Sequence, residues 1–393
     1  MTREDILQEV LELKGNNYLL ELATGVGKSR LAIELIKKLS DNKGNLLIVV
    51  PRNVHKTNWQ EEIIKWWSDC QLKLSYTTYV SLPKYAGNWD YVIFDECHHL
   101  SDRCREAIDS FNITHSVLCS ATVNYNLKNT FELIFKDLVI YKKDLRDVIE
   151  DNILPDPKVY LCPIKLNNTI ISESIWKNTK AKGKLINCSF AERFQFIRQR
   201  TNPVRIMCTE KQYYIDLCNQ IEYWKKRHLR SKSPVSKNKW LKLCGDRLKW
   251  LSDKKVIYTQ QLLKKLDDYR TLTFCNNIEQ TELLGKYCIN SKNKDAVKYL
   301  EKFNKGEINH ITACNMLNES MNLSNCRIGI YNNLNSSETI IKQRTGRLLR
   351  HKNPVIIIPY FIDTREEELV KTMLEDYNPK LVTTIKHLYE IKL

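Results

Sequence analysis

Three clusters in this 393-residue chain have residue types and spacing that could do chemistry. The first is Ala23-Thr24-Gly25-Val26-Gly27-Lys28-Ser29. Glycines let backbone N–H groups turn toward phosphate oxygens, and a helix starting at this point adds positive field. Lys28 would reach the β- and γ-phosphates and the Ser29 hydroxyl would ligate Mg²⁺. The strict pattern asks for glycine where Leu22 stands. The second cluster is Asp95-Glu96-Cys97-His98, in which Asp95 can hold Mg²⁺ through water and Glu96 can polarise an attacking water. The third is Gln343-Arg344-Thr345-Gly346-Arg347-Leu348-Leu349-Arg350, whose arginines at steps of three would share one helix face. Taken singly, each has a plainer reading: an ordinary glycine turn, a helix cap, a stripe kept for solubility. Together, a phosphate cradle and an arginine cluster suggest fingers supplied across a cleft.

Such residues need rigid elements behind them. Tyr18–Leu22, Leu46–Val50, Tyr91–Phe94 and Ser116–Cys119 are short apolar runs, the pattern of strands buried on both faces of a parallel sheet. Helical stretches at 4–13 and 29–39 alternate with them, which predicts βαβ units. The first cluster falls between a strand and a helix. The second falls at the C-terminal end of a strand, expected beside the first, where ligands of open α/β sheets sit. Leu154-Pro155-Asp156-Pro157 marks a linker. Strand patterns return at 271–274, 327–331 and 355–358, a second α/β lobe. Between them, Tyr214, Leu217, Ile221 and Trp224, then Leu241, Cys244, Leu248 and Leu251, recur at helical steps around a turn at 231–236. The fold expected is therefore α/β, two tandem doubly wound lobes at 1–153 and 154–393. A basic helical insertion at about 205–267 belongs to the second.

Charge bears on the partner. Lys and Arg number 62 against 46 Asp and Glu, a net charge of +16. The stretch 225–255 alone holds twelve Lys/Arg and two acids, Asp246 and Asp253. A local cationic surface favours a polyanion, since neutralising phosphates releases counterions; a solvated lysine-rich face is the alternative. Trp240 and Trp250 in this stretch either stack bases or form core. Thirteen dispersed cysteines with no CxxC pair read as reduced structural thiols. No run of about 18 apolar residues suits a membrane. The opening MTREDILQEV lacks a secretory h-region, so the expectation is a cytoplasmic protein.

In this order and spacing, ATGVGKS, DECH, Ser120-Ala121-Thr122 and QRTGRLLR resemble motifs I, II, III and VI of superfamily 2 helicases. Val50-Pro51-Arg52 with Asn58-Trp59 resembles motif Ia, and Thr77-Thr78-Tyr79 the nucleic-acid-contacting box before motif II. Phe274–Asn277 resembles motif IV and Asn315–Leu323 motif V, with Ser320 where many relatives have glycine. DECH with QRxGRxxR leans toward the DExH groups, among them the phage UvsW, XPB and type III restriction-subunit proteins. The compact length suggests a stand-alone phage or bacterial protein.

The resemblance implies two RecA-like lobes that hydrolyse ATP with Mg²⁺. Thr24, Gly25, Val26, Gly27, Lys28 and Ser29 would bind the triphosphate, with Ser29 and Asp95 at the metal and Glu96 as general base. Ser120 and Thr122 would couple the nucleotide state to the track. Gln343, Arg347 and Arg350 would close on the γ-phosphate, Arg344 would bridge to motif II, and Glu319 and Asn322 would sit at the lobe interface. Arg52, Thr78, Asn277 and Asn315 would grip the nucleic-acid backbone without reading sequence. Arg3 and Gln8 are the only candidates for an adenine-reading motif. The implied activity is an ATP-dependent helicase or translocase acting on DNA in preference to RNA. An RNA helicase, a remodelling translocase and a nucleotide-gated binding module remain alternatives. The sequence specifies no oligomeric state, and a monomer is compatible with it.

Overall fold

The computed structural model describes residues 1–171, 173–177, 183–199, 202–314, 323, 325–335 and 337–393. Its first sheet comprises β1 (Asn17–Leu22), β2 (Asn45–Val50), β3 (Lys73–Thr78), β4 (Asn88–Asp95), β5 (Asn112–Ser120) and β6 (Leu138–Lys143). The strands are parallel throughout, in spatial order β3-β2-β4-β5-β1-β6. Leu46–Val50 and Tyr91–Phe94 are buried along their whole length, which is why they are uniformly apolar and not alternating. Around this sheet lie α1 (Arg3–Glu12), α2 (Lys28–Ser40), α3 (Asn53–Trp66), α4 (Asp102–Ile108), α5 (Tyr125–Ile134) and α6 (Leu145–Glu150). At the start of α1, Thr2 Oγ1 accepts from Asp5 N while Asp5 returns a carboxylate oxygen to Thr2 N. Ile6, Leu7 and Val10 then bury one face of that helix.

The strand order corrects one expectation. The glycine loop follows β1 and the acidic pair follows β4, but these strands are not neighbours: β5 pairs with both. The third motif, at the end of β5, is thereby wedged between the other two.

The second sheet begins with β7 (Lys158–Ile164). A three-stranded sheet follows, of β8 (Glu173–Lys177), β9 (Ile186–Ser189) and β10 (Val204–Cys208) in order β8-β10-β9, with α7 (Arg193–Gln199). No strand pattern in the sequence predicts it. Three helices come next, α8 (Glu210–Ser231), α9 (Pro234–Lys254) and α10 (Val256–Lys265). The sheet resumes with β11 (Thr271–Phe274), α11 (Ile278–Leu284), β12 (Cys288–Ile289), α12 (Ala296–Lys305), β13 (His310–Ala313) and β14 (Ile328–Tyr331). It is completed by α13 (Glu338–Leu348), β15 (Val355–Phe361), α14 (Arg365–Leu374) and β16 (Val382–Thr384). These strands too are parallel, in order β12-β13-β11-β14-β15-β7-β16.

Helices α8 and α9 form an antiparallel hairpin. Thr209 and Gln212 make a capping box on α8, Lys232 turns the chain at φ 51°, and Pro234 opens α9, where its missing N–H costs nothing. Leu217, Ile221 and Leu243 fill the seam, with Trp224 and Trp240 against them. Trp250 stacks on Tyr213 at 4.8 Å between ring centroids, so both tryptophans weighed as base-stacking pack within the hairpin. The hairpin's base is locked to the second sheet. Lys255 is fully buried, with Nζ 2.6 Å from Glu366 and 3.0 Å from the Pro359 carbonyl. Beside it, the Ser252 hydroxyl lies within hydrogen-bond reach of Gln280 Oε1 (3.0 Å) and the Asn332 carbonyl (3.1 Å), and Thr259 donates to Asn332 Oδ1 (2.7 Å). Among the described residues, no helix is long and apolar enough to cross a membrane.

Candidate active site in the cleft between the sheets

The loop after β1 turns through Gly25 at φ 101° and Gly27 at φ 110°, conformations open to glycine at little cost. A Cβ on Gly27 would meet nothing within 4 Å, so it is backbone conformation and not crowding that demands glycine there. Leu22, the departure from the strict pattern, ends β1 with its side chain fully buried, and only its carbonyl addresses the loop, accepting from Lys28 Nζ at 3.3 Å. Lys28 opens α2, and its ammonium also lies 3.8 Å from Glu96 Oε1.

Glu96 follows β4 in the left-handed region, at φ 49°. From its carboxylate a polar chain runs toward β5. His98 Nδ1 lies 3.4 Å from Glu96 Oε2 and 3.0 Å from Ser120 Oγ. Ser120 Oγ donates to the Thr122 carbonyl at 2.9 Å, so it accepts from a proton on His98 Nδ1. Lys28, Glu96, His98, Ser120 and Thr122 are thus linked in sequence across motifs I, II and III. The Asp95 carboxyl is raised to about 6 by burial and then by the Glu96 charge, partly offset by a hydrogen bond from Trp59. Cys97 is buried beneath the site and held as the neutral thiol by that burial.

A cavity of about 870 Å³ joins these residues to the second sheet. Its walls carry Thr24, Gly25, Val26, Gly27, Lys28, Ser29, Asp95 and Glu96 on one side, Arg347 and Arg350 on the other. The walls come closest at Gly346, where a Cβ would stand 2.4 Å from Thr24 Cβ and 2.6 Å from the Thr24 carbonyl oxygen. The only residue that fits there is one with no side chain. Thr24 Oγ1 is buried with no hydrogen-bond partner among the described residues, a hydroxyl left over in the same loop.

A magnesium triphosphate fits this donor set. Open space over Gly27, an unsatisfied Thr24 hydroxyl, an ammonium and a helix N-terminus suit an anion. Among the described residues no three His, Cys, Asp or Glu side chains converge to make a metal cage. Magnesium needs no such cage, since it is held by one or two protein groups and by the substrate's phosphates. Ser29 and Asp95 would be those groups.

Several expected roles are corrected. The three arginines do not share a face, because α13 ends at Leu348 and Arg350 lies beyond it. Arg344 points into the second lobe: it is 1% exposed, donates to the Asn333 carbonyl at 3.0 Å and lies over the Phe274 ring. It is absent from the cavity wall and lies in the core under motif VI, and among the described residues no contact with motif II is seen. Gln343 is likewise buried away from that wall, its amide nitrogen without a partner among the described residues. Asn277 caps α11, its side chain accepting from Gln280 N at 2.9 Å, and its amide nitrogen is buried, so its side-chain donor is not turned to the surface where a phosphate would lie. Gln8 is exposed and off the cavity, whereas Arg3 lines it and donates to the Gly25 carbonyl at 3.3 Å. Arg52 is exposed and Thr78 half-buried at neighbouring strand ends. Asn315, Glu319 and Asn322 lie outside the described residues.

Sequence reasoning missed Trp59, whose indole N–H donates to Asp95 Oδ2 at 2.9 Å, and Tyr79, whose hydroxyl donates to the Asp95 carbonyl at 2.7 Å. Both stand in boxes singled out for the track, yet both side chains turn to Asp95, Trp59 to its carboxylate and Tyr79 to its backbone carbonyl.

Comparison with known proteins adds two family matches. Residues 3–81 match the type III restriction enzyme res subunit, and residues 253–352 the helicase conserved C-terminal domain. Comparison with curated protein sequences returned no match. Among solved structures the fold is similar to Saccharomyces cerevisiae Dbp5 bound to RNA and ADP BeF3, with TM-score 0.57 and 11% identity over 98% of this chain and 89% of that one. It is also similar to the Pyrococcus furiosus Hef helicase domain, with TM-score 0.51 and 14% identity over 94% and 97% of the two chains. A third similar structure is the ATP-dependent type ISP restriction-modification enzyme LlaBIII bound to DNA. There TM-score is 0.56 and identity 12%, over 98% of this chain and 31% of that one.

Proposed function

Because the chain belongs to helicase superfamily 2, and is by that membership a nucleic-acid-dependent ATPase, we propose that it is a DNA translocase or helicase powered between two RecA-like lobes, about 1–153 and 154–393. The observation that carries this reading is the shared cavity, with the phosphate loop and acidic pair on one wall and Arg347 and Arg350 on the other. Backbone N–H groups of the loop, Lys28 and the start of α2 hold the triphosphate. Magnesium, when bound by Ser29 and Asp95, neutralises charge on the phosphate oxygens. Glu96 accepts a proton from the attacking water. Its 3.8 Å pairing with Lys28 holds it back until phosphates draw the ammonium away. Arg347 and Arg350 stabilise charge on the transferring phosphoryl group from the far wall, so hydrolysis depends on the lobes being together.

Gly346 against Thr24 makes that dependence steric as well as electrostatic. The chain Glu96–His98–Ser120–Thr122 offers a path by which the nucleotide state reaches the ends of β4 and β5. DNA is favoured as the track by the res-subunit match, a restriction-enzyme domain, while the hairpin of α8 and α9 favours a nucleic-acid polyanion of either kind. We read that hairpin as a basic insertion into the second lobe, with Lys225, Arg227, Arg230, Lys232, Lys237 and Lys239 all exposed on it. Phosphate contacts by such side chains hold a strand without reading its bases. The test is steady-state ATPase activity with single-stranded DNA, forked DNA, an R-loop or RNA as stimulator. The expectation is a kcat raised at least about tenfold by a DNA substrate. Stimulation by RNA alone would overturn the DNA assignment.

A further inference from the structure

Asp95 is held from two directions, and each holder lies downstream, in the same box, of a residue assigned to the track. Trp59 lies on α3, whose first residue follows Arg52; from Arg52 to Trp59 is about two helical turns. Tyr79 is the residue after Thr78. Val50 and Thr78 are partners in the β2–β3 ladder, so Arg52 and Thr78 leave the sheet side by side. Trp59 is 3% and Tyr79 4% exposed, and a buried indole N–H or phenol O–H requires an acceptor. Packing alone would be served by any carbonyl. Instead Trp59 donates to Oδ2 of the carboxylate that would hold magnesium, and Tyr79 donates to the backbone carbonyl of the same residue.

We propose that Trp59 and Tyr79 are positioning residues that orient the Asp95 carboxylate toward magnesium and tie it to the strand ends carrying Arg52 and Thr78. Track binding would then set how well the metal site is formed. The coupling half of this proposal rests on the nucleic-acid reading above; the orienting half does not. Trp59 pins one carboxylate oxygen, so the carboxylate cannot rotate; Tyr79 pins the backbone at the same residue. A strand lodged on Arg52 and Thr78 restrains the starts of both α3 and the Tyr79 turn. Outer partners of metal ligands are commonly worth about 10- to 100-fold in metal affinity.

The test measures equilibrium binding of a fluorescent ATP analogue to the full chain across a magnesium titration, with and without single-stranded DNA. Trp59→Phe should leave metal-free nucleotide affinity near wild type and raise the half-saturating magnesium concentration about tenfold. In steady state its kcat should fall at low magnesium and recover at high magnesium, which a packing defect would not do. Tyr79→Phe, which keeps the ring and removes one hydroxyl, should abolish the DNA-dependent lowering of the magnesium requirement. A normal magnesium requirement in both variants, at wild-type melting temperature, would overturn the proposal. If Trp59→Phe does not fold, Tyr79→Phe alone decides. A wild-type chain indifferent to DNA and RNA would sink the track reading, while the Trp59→Phe titration without DNA would still judge the orienting role.

Discussion

Gly346→Ala isolates the meeting point of the two walls of the cleft. The added methyl would sit 2.4 Å from Thr24 Cβ and 2.6 Å from the Thr24 carbonyl oxygen. Carbon atoms rest at roughly 3.5–4.0 Å, so one wall must retreat by about 1 Å or more. Thr24 cannot retreat freely, because it belongs to the loop shaped by Gly25 and Gly27. The displaced partner is therefore α13, and with it Arg347. A misplacement of about 1 Å at a reacting centre can cost on the order of 100-fold in rate. The same substitution favours α13 itself, since alanine exceeds glycine in helix propensity by about 1 kcal/mol. The expected signature is a kcat lowered roughly 10- to 100-fold, nucleotide affinity within a few-fold of wild type, and a melting temperature unchanged or higher. Stopped-flow nucleotide binding, steady-state ATPase assays with single-stranded DNA and a thermal melt measure the three. A kcat within about twofold of wild type would refute the reasoning, because hydrolysis would then proceed with the walls apart.

Four further outcomes are expected. Lys28→Ala should abolish turnover, as the phosphates lose the loop's only ammonium; a near-normal kcat would remove the loop from the active site. Glu96→Gln should bind ATP and fail to hydrolyse it, trapping a nucleic-acid-bound state, whereas loss of nucleotide binding in a filter assay would make Glu96 structural. Reversing Lys225, Arg230, Lys237 and Lys239 to Glu should weaken DNA binding at low salt alike on every sequence. Removing one phosphate interaction flattens the slope of log K against log salt by roughly 0.7–0.9, and an unchanged slope would leave the hairpin a solvated face. Lys255→Met strands Glu366, which is 0% exposed, and should destabilise by about 3–5 kcal/mol in a denaturant titration. Adding Glu366→Leu should recover much of that stability if the ion pair is the cause.

What the chain spells locally was legible from its residues. The strand–loop–helix around Gly25 and Gly27 depends on backbone conformations that neighbouring residues dictate, and β11 falls where its apolar run predicts, at Thr271–Phe274. The helical hairpin also followed from periodicity and from the Ser-Lys-Ser-Pro turn. Meetings between distant segments were another matter. Strand order places β5 between β1 and β4, so Ser120 meets His98, and no pattern in either strand announces its neighbour. Arginine spacing could not tell that Arg344 serves the core while Arg347 serves the cleft, because the direction of a side chain depends on where its helix docks. Lys255 counted as surface charge until Glu366, 111 residues later, took it inside. Trp59 and Asp95 are 36 residues apart, and only the packing of α3 on β2 and β3 brings an indole nitrogen to the carboxylate at the end of β4. Local propensity selects the elements; burial and the need to satisfy every buried polar group, acting over long sequence distances, decide which of them meet.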